Sequence, residues 1–425
     1  MRSNYKKLGP HIREVNVRND GNKTDTLLGV STQKIFIDSI ANTIGTDFKS
    51  YKVVKRRQFT YVADTSRRGD RIGIALLETH DECLVSPIYT VFEIIDHDDL
   101  LPEYLMMWFR RPEFDRYARF KSHGSVREIF GWEEMCDVDL PIPSIEKQRA
   151  SIEEYHTVVD RIALNERLSQ MLEETAQAIY KHWFVDFEFP ISTDYAASVG
   201  KPELDSKPYK SSGGEMVFNE VLKQEIPKAW NVVFLGDVCE TVTKGTTPEK
   251  MFSIKKPEYI TYIKGESITE THGIDEETVV YIDEATNRSL ERSIIRNHDI
   301  LFSIAGTLGK FALVDERVLP ANCNQAVAII RIDEEKLGHA FVMGCLLSRW
   351  QALFFAKNTQ QAVQANLSLE TICSLPLLMP PAPLLEKITM LSSAIVRSLQ
   401  GSNIETELLK ALAITILEKL ASHNA

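Results

Sequence analysis

The stretch "DLPIPSIEKQ", residues 139–148, changes character halfway. A short apolar piece punctuated by Pro141 and Pro143 gives way to helix formers opening at Glu146. A stretch of the same kind, "SLPLLMPPAPLLEK" (374–387), returns about 240 residues later. In both, the residue before proline is pushed out of the helical region, so the prolines stop a strand and a helix starts just after them. Apolar Ile152, Tyr155, Val159, Ile162, Leu168, Leu172, Ala176, Ile179 and Trp183 then recur at mostly three- and four-residue spacing between about Glu146 and Asp186. Ile388, Leu391, Ile395, Leu399, Leu408, Leu412, Ile416 and Leu420 do the same between about Leu384 and Leu420. Such spacing puts one apolar stripe on a helix. About 40 residues of helix extend about 60 Å, far longer than a globular helix needs. The simplest partner for each stripe is the other helix, in an antiparallel coiled coil.

Working outward, the rest of the chain also repeats. "WEEMCDVDLPIP" (132–143) aligns with "LETICSLPLLMP" (369–380), matching Glu133 to Glu370, Cys136 to Cys373 and Pro143 to Pro380. Upstream, Gly73 falls opposite Gly309, Ile94 opposite Ile332, and Leu8-Gly9 opposite Leu235-Gly236. Shared order at a nearly constant offset marks a tandem duplication. Each copy begins with short β-rich runs separated by Gly, Pro and Asn turns, with one helix near the end: "PEYLMMWFRRPEFDRYA" in the first, "HAFVMGCLLSRWQALFFA" in the second. The fold class is α+β: two α+β domains, 1–145 and 226–383, separated by long helices at 146–190 and 384–425. A connector at 191–225, containing "SVGKPELDSKPYKSSGG", supplies slack. Gly401-Ser402-Asn403 stands mid-course in the second helix, and a glycine there costs about 1 kcal/mol relative to alanine, so the helix is expected to kink or to lean on the first.

The chain has 425 residues, 44% hydrophobic and 26% charged, with no apolar run of membrane-spanning length and no secretory signal, which points to the cytoplasm. Six scattered cysteines without a C-x-x-C pair argue against a zinc ribbon or disulfide framework and read as buried small residues. The net charge of −11 opposes phosphate binding at first sight. The acid, however, concentrates in 146–225, with 15 acidic against 9 basic residues, whereas 1–145 is nearly balanced at 22 against 21. That first segment holds basic clusters at "VVKRRQ", "SRRGDR" and "FRRPEFDRYARFK".

No catalytic or metal motif survives inspection. "SIAGTLGK" (303–310) lacks the first glycine of a P-loop, since Ile304 stands there, and Phe311 follows the lysine. It reads instead as strand, glycine turn, strand. There is no G-x-S-x-G, no H-E-x-x-H, no glycine-rich cofactor loop and no Asn/Asp-Pro-Pro-aromatic site. A fused methyltransferase is therefore disfavoured, while a coiled-coil scaffold that binds no DNA has only the acidic charge behind it. Polar side chains in glycine-anchored loops suit base edges and phosphates. The candidates for DNA contact are Arg67, Arg68, Arg71, Ser122, Ser125, Arg127, Lys244, Thr246, Thr247, Lys310, Asn322, Asn324, Gln325, Gln364 and Asn366. Leu168, Leu172, Ile179, Trp183 and Phe184 on the first helix are candidates for binding a partner protein.

"DLPIPSIEKQ", followed by "LNERLSQMLEETAQAIYKHWFVDFEFP" (164–190), resembles the central region of specificity subunits of type I restriction-modification enzymes. The course "LGDV…KGTTP…DILFS…GTLGK…NCNQA" resembles their recognition domains. The resemblance implies a non-catalytic subunit that reads a bipartite double-stranded DNA target, one half per domain. It also implies two modification subunits per chain and restriction subunits as partners. S-adenosylmethionine and ATP would then sit on those partners, with no cofactor or metal on this chain.

Overall fold

The computed structural model describes residues 5–20, 26–39, 47–65, 71–123, 128–359 and 366–422. It divides into two units, one reaching to Ala163 and resuming at Glu407, the other running from Leu164 to Thr406. The division passes through both long helices, so each unit holds one α+β domain and a segment of each helix.

In the first unit the strands are β1 (Tyr5–Lys7), β2 (Ile12–Val15), β3 (Leu28–Val30), β4 (Phe36–Asp38), β5 (Lys52–Lys55), β6 (Phe59–Tyr61), β7 (Ile74–Leu76), β8 (Glu82–Val85), β9 (Thr90–Ile94) and β10 (Asp139–Pro141). β2, β9, β6 and β7 form one antiparallel sheet in that order, and β1 pairs with β10. The helices are α1 (Pro102–Arg110), α2 (Pro112–Lys121) and α3 (Trp132–Cys136), followed by the long α4 (Ile145–Tyr180). The single helix expected over 102–118 is two helices. Pro112 holds Arg111 in an extended conformation, φ −69° and ψ 138°, and restarts the helix with its own ring at the first position. Phe59, Tyr61, Phe92, Phe109 and Phe130, each fully buried, form the core between sheet and helices.

In the second unit the strands are β11 (Met216–Asn219), β12 (Gln224–Pro227), β13 (Asn231–Phe234), β14 (Cys239–Lys244), β15 (Ile260–Ile263), β16 (Val280–Ile282), β17 (Ile300–Ser303), β18 (Phe311–Leu313), β19 (Ala321–Cys323), β20 (Val327–Ile332) and β21 (Pro376–Met379). The helices are α5 (Thr193–Ser198), α6 (Glu284–Ser289), α7 (His339–Leu346), α8 (Arg349–Thr359), α9 (Leu369–Cys373) and α10 (Ala382–Ser422). The sheet order β14-β20-β17-β18 and the β13–β21 pair repeat the first domain's β2-β9-β6-β7 and β1–β10. Sequence repetition has become topological repetition. The glycine turn expected at 303–310 joins β17 to β18, with Gly306 and Gly309 at φ +74° and +87°, where a side chain would be strained.

Both units show the same antiparallel helix pairing. In the first, Tyr155 and Val158 share a core with Ala413, Ile416, Leu417 and Leu420, and Glu154 pairs with Lys419 at 4.0 Å. In the second, Asn165 Nδ2 donates to Glu405 Oε2 at 2.9 Å, while Ala176, Ile179 and Tyr180 face Ile388, Leu391 and Ile395. Numbers rise along one helix as they fall along the other. Near the middle the seam turns polar, with Asn165, Ser169, Ser402 and Thr406 all buried, the kind of layer that fixes register in paired helices.

α10 is one unbroken helix through Gly401, and its polar stretch is used: Asn403 Nδ2 donates to Thr271 O at 2.8 Å. One expectation needs revision. The connector is not slack. Ile191, Ala196, Tyr209 and Ile226 are buried in the second unit's core, α5 is capped by Ser192, and β11 and β12 form a hairpin whose turn is held by Asn219 Oδ1 accepting from Val221 and Leu222. Its apolar residues stand singly among polar ones, so no periodicity announced them.

Candidate nucleic-acid interface

At one end of the second domain five segments converge. Lys244 ends β14, exposed, and Gly245 follows because a Cβ there would lie 1.9 Å from the Cys323 carbonyl oxygen. That approach places Thr247 against Gln325, whose side chains are hydrogen-bonded, and both are exposed. Tyr262 Oη donates to Thr246 O at 2.8 Å, and Arg292 reaches Thr246 Oγ1 at 3.3 Å. Asn324 is braced twice, its amide bound to Ile263 O at 3.0 Å and its Oδ1 accepting from Ala326 N at 3.1 Å. Thr307 Oγ1 donates to Gly265 O at 3.1 Å, and Leu367 N donates to Ile304 O at 3.0 Å, bringing exposed Asn366 alongside. Lys244, Thr246, Thr247, Asn324, Gln325 and Asn366 thus lie on one rigidly tied surface.

Two candidates in this domain have other duties. Asn322 is fully buried, its amide donating to Asn287 Oδ1 at 2.9 Å and to Leu290 O at 3.2 Å while accepting from Cys323 N. A buried amide with every group engaged cannot present itself to a base, so Asn322 holds the loop and reads nothing. Lys310 pairs with Glu270 at 2.9 Å and is 22% exposed, which leaves its charge largely neutralised.

In the first domain Arg71 is exposed beside a buried ion pair. Lys34 Nζ lies 2.9 Å from Asp115 Oδ2 and also donates to Phe109 O, and Asp115 Oδ1 accepts from Ile72 N at 3.1 Å. Burial lowers the Lys34 amine from its ordinary value, with Asp115 opposing. One carboxylate therefore ties the β3–β4 turn and the start of β7 to α2. Ser122 Oγ donates to Ala118 O at 2.7 Å and accepts from Thr65 Oγ1 at 2.9 Å, so it braces this end from within. Arg67, Arg68, Ser125, Arg127 and Gln364 lie outside the described residues. Members of the other basic clusters are spent on structure: Arg56 pairs with Asp81 at 2.9 Å, Arg57 with Glu103 at 3.3 Å, and buried Arg111 lies over Trp108.

The candidates on α4 divide. Trp183 and Phe184 are 9% and 2% exposed, and Phe184 stacks on Tyr180 and meets Trp230 with ring centroids 4.8 and 5.0 Å away. These aromatics are core anchors of the second unit, and Leu172 and Ile179 pack half-buried against the same core. Leu168, which the spacing placed on the stripe, is exposed, and so are Leu164 and Met171, which the spacing did not select. Positions 164, 168 and 171 share a helix face.

The six cysteines are unpaired, three of them buried, and burial pushes the Cys83 thiol up to about 12. His298, Glu334 and His339 place donor atoms within 4.8 Å of one another. The two rings, however, stack 26° from parallel, and His339 Nδ1 is already bound to Glu334 at 2.5 Å, so the donors do not point at a common centre.

The fold defines a two-domain protein built by tandem duplication, its loops diverged on a shared frame. The sequence profile of the type I restriction modification DNA specificity domain matches residues 227–399. The MjaIX type I restriction enzyme specificity subunit of Methanocaldococcus jannaschii is 24% identical over 333 residues, 77% of this chain and 70% of that protein. The HindI specificity subunit of Haemophilus influenzae is 26% identical over 188 residues, 43% of this chain and 40% of that protein. The crystal structure of the type I restriction-modification S subunit from M. genitalium shares the fold at 10% identity, with a TM-score of 0.53 over 98% of this chain and 95% of that one. The chain is thus similar to type I restriction-modification specificity subunits, over residues 227–399 by the domain profile and over 77% of its length by the M. jannaschii relative.

Proposed function

We propose that this chain is the DNA-recognition subunit of a type I restriction-modification complex, each α+β domain reading one half of a bipartite, non-palindromic target. The observation that carries this reading is one scaffold with two different loop sets. The sheets, the proline hinges and the paired helices repeat, whereas the converging loops hold Thr65, Arg71 and Ser122 in one copy and Lys244, Thr247, Gln325 and Asn366 in the other. Amides suit adenine's N6 and N7, and cations suit phosphate.

The chain contributes recognition and no bond-making chemistry. Two modification subunits supply methyl transfer with S-adenosylmethionine, and restriction subunits supply ATP-driven translocation and cutting. The exposed stripe of Leu164, Leu168 and Met171 on α4 is the docking surface we assign to a modification subunit. No helix among the described residues is long and apolar enough to cross a membrane. The test is selection of random duplexes by the full chain together with its modification subunits. A two-part consensus with an unspecified gap supports the reading, and enrichment of no sequence refutes it.

A further inference from the structure

The duplication supplies an internal comparison that exposes an asymmetry in chemistry. Phe130 N donates to Ala63 O at 2.9 Å and Leu367 N to Ile304 O at 3.0 Å, so Phe130 and Leu367, 237 residues apart, occupy the same place in the two domains. One residue before them stand Ile129, 48% exposed, and Asn366, exposed. Near the end of α2 Phe120 is 81% exposed, and its counterpart on α8 is exposed Lys357. Where the second domain offers an amide and a cation to solvent, the first offers two large apolar side chains.

Neither side chain is needed by the fold. α2 buries Phe114, Asp115 and Ala118, and Phe120 lies off that face. Ile129 contributes its backbone, exchanging hydrogen bonds with His123 at 3.0 and 3.2 Å. Phe120 precedes that bridge and Ile129 completes it, at the end of the domain where Thr65 and Ser122 are joined. Lys121, next to Phe120, adds positive charge over the Tyr117 ring. Exposed apolar side chains with a cation next to one of them suit a partner that is anionic overall with isolated apolar groups. On the major-groove edge of duplex DNA the one such group is the C5 methyl of thymine.

We propose that Phe120 and Ile129 read thymine methyl groups in the half-site bound by the first domain; this rests on the DNA-recognition reading above. Replacing thymine by uracil removes the methyl and leaves every hydrogen-bonding group in place, which makes the test specific. The full chain with its modification subunits is titrated with target duplexes carrying uracil at each thymine of that half-site, the half-site being assigned by exchanging the first domain. The wild-type complex is expected to lose roughly four-fold in affinity at a position where a methyl is buried. Phe120→Ala or Ile129→Ala should bind the thymine and uracil duplexes equally at its own position, with an unchanged melting temperature because both side chains are exposed. Wild-type indifference to uracil throughout, a first half-site without thymine, or variants that keep the discrimination overturns the proposal. Loss of sequence selectivity on every duplex would instead sink the recognition reading itself.

Discussion

Gly236 lies so close to Cys373 that a Cβ on the glycine would come within 2.9 Å of the cysteine Cβ, and Gly9 stands 3.0 Å from Cys136 in the same sense. The backbone next to each glycine agrees, Leu235 N donating to Leu375 O at 2.9 Å and Leu8 N to Val138 O at 2.8 Å. The glycine is required because a short helix end presses on the loop after the first strand of each domain. Gly236→Ala should therefore lower stability by about 1–3 kcal/mol, the usual cost of overpacking. Thermal denaturation would show it. Cys373→Ala should not rescue the double variant, because the clash is with the Cβ that alanine keeps.

Gln148, four residues into α4, is fully buried; its Oε1 accepts from Leu101 N at 2.9 Å and its Nε2 donates to Asp99 O at 2.8 Å and Pro143 O at 2.9 Å. It fastens the first residues of the long helix to the start of α1, whereas Ile388, which follows the same Glu-Lys pair in the second copy, is an apolar core residue. Gln148→Ile should cost at least about 2 kcal/mol even though isoleucine is native in the other copy, since three buried polar groups lose their partner. Urea unfolding that shows no change would contradict this role.

His272 Nδ1 donates to Phe311 O at 3.3 Å, which leaves Nε2 facing Glu173 Oε1 at 3.5 Å. Burial lowers the imidazole to about 4, with the Phe311 carbonyl and Glu270 opposing, and burial raises Glu173, with Glu270 and Glu174 adding to it. A histidine depressed below its unfolded value of 6.5 gives stability that is complete above that pH and lost as pH falls toward 4. The loss is about 3 kcal/mol at most, and proton uptake by Glu173 offsets part of it. His272→Gln should flatten the decline in unfolding free energy between pH 7 and pH 4, and an unchanged slope would show that the histidine takes up its proton alike in the folded and unfolded chain.

Leu164, Leu168 and Met171 are exposed, Trp183 is not. Leu168→Asp should abolish co-purification with the modification subunit while leaving the melting temperature within a degree or two. Trp183→Ala should do the reverse first, costing about 3–5 kcal/mol of stability as a buried tryptophan. A Leu168→Asp chain that still assembles would move the docking surface elsewhere.

Much of the fold was legible because its signals are periodic or repeated. The stripes through Tyr155 and Ile416, the Pro143 and Pro380 hinges, and the Cys136–Cys373 offset all lie in the sequence itself. The break at Arg111 was legible too, in Pro112, but a continuous apolar pattern concealed it. The connector's fold was not, since Ile191, Ala196 and Tyr209 are single anchors without a period. For the interface, spacing found the loops but not the direction of each side chain. Asn322 and Asn324 are two residues apart, yet one is sealed inside and the other is partly exposed, a difference set by Asn287 and Leu290, which are distant in sequence. Trp183 and Phe184 misled for a related reason: an aromatic cluster ending a helix looks the same whether a partner or the chain's own Trp230 covers it.

The most direct measurement of the central claim is a genome-wide map of DNA methylation in cells supplying the modification subunits with either this chain or one whose residues 227–380 are exchanged for those of a relative. The account predicts a bipartite methylated motif in which the exchange replaces one half and leaves the other unchanged. A motif altered in both halves, or in neither, would contradict it.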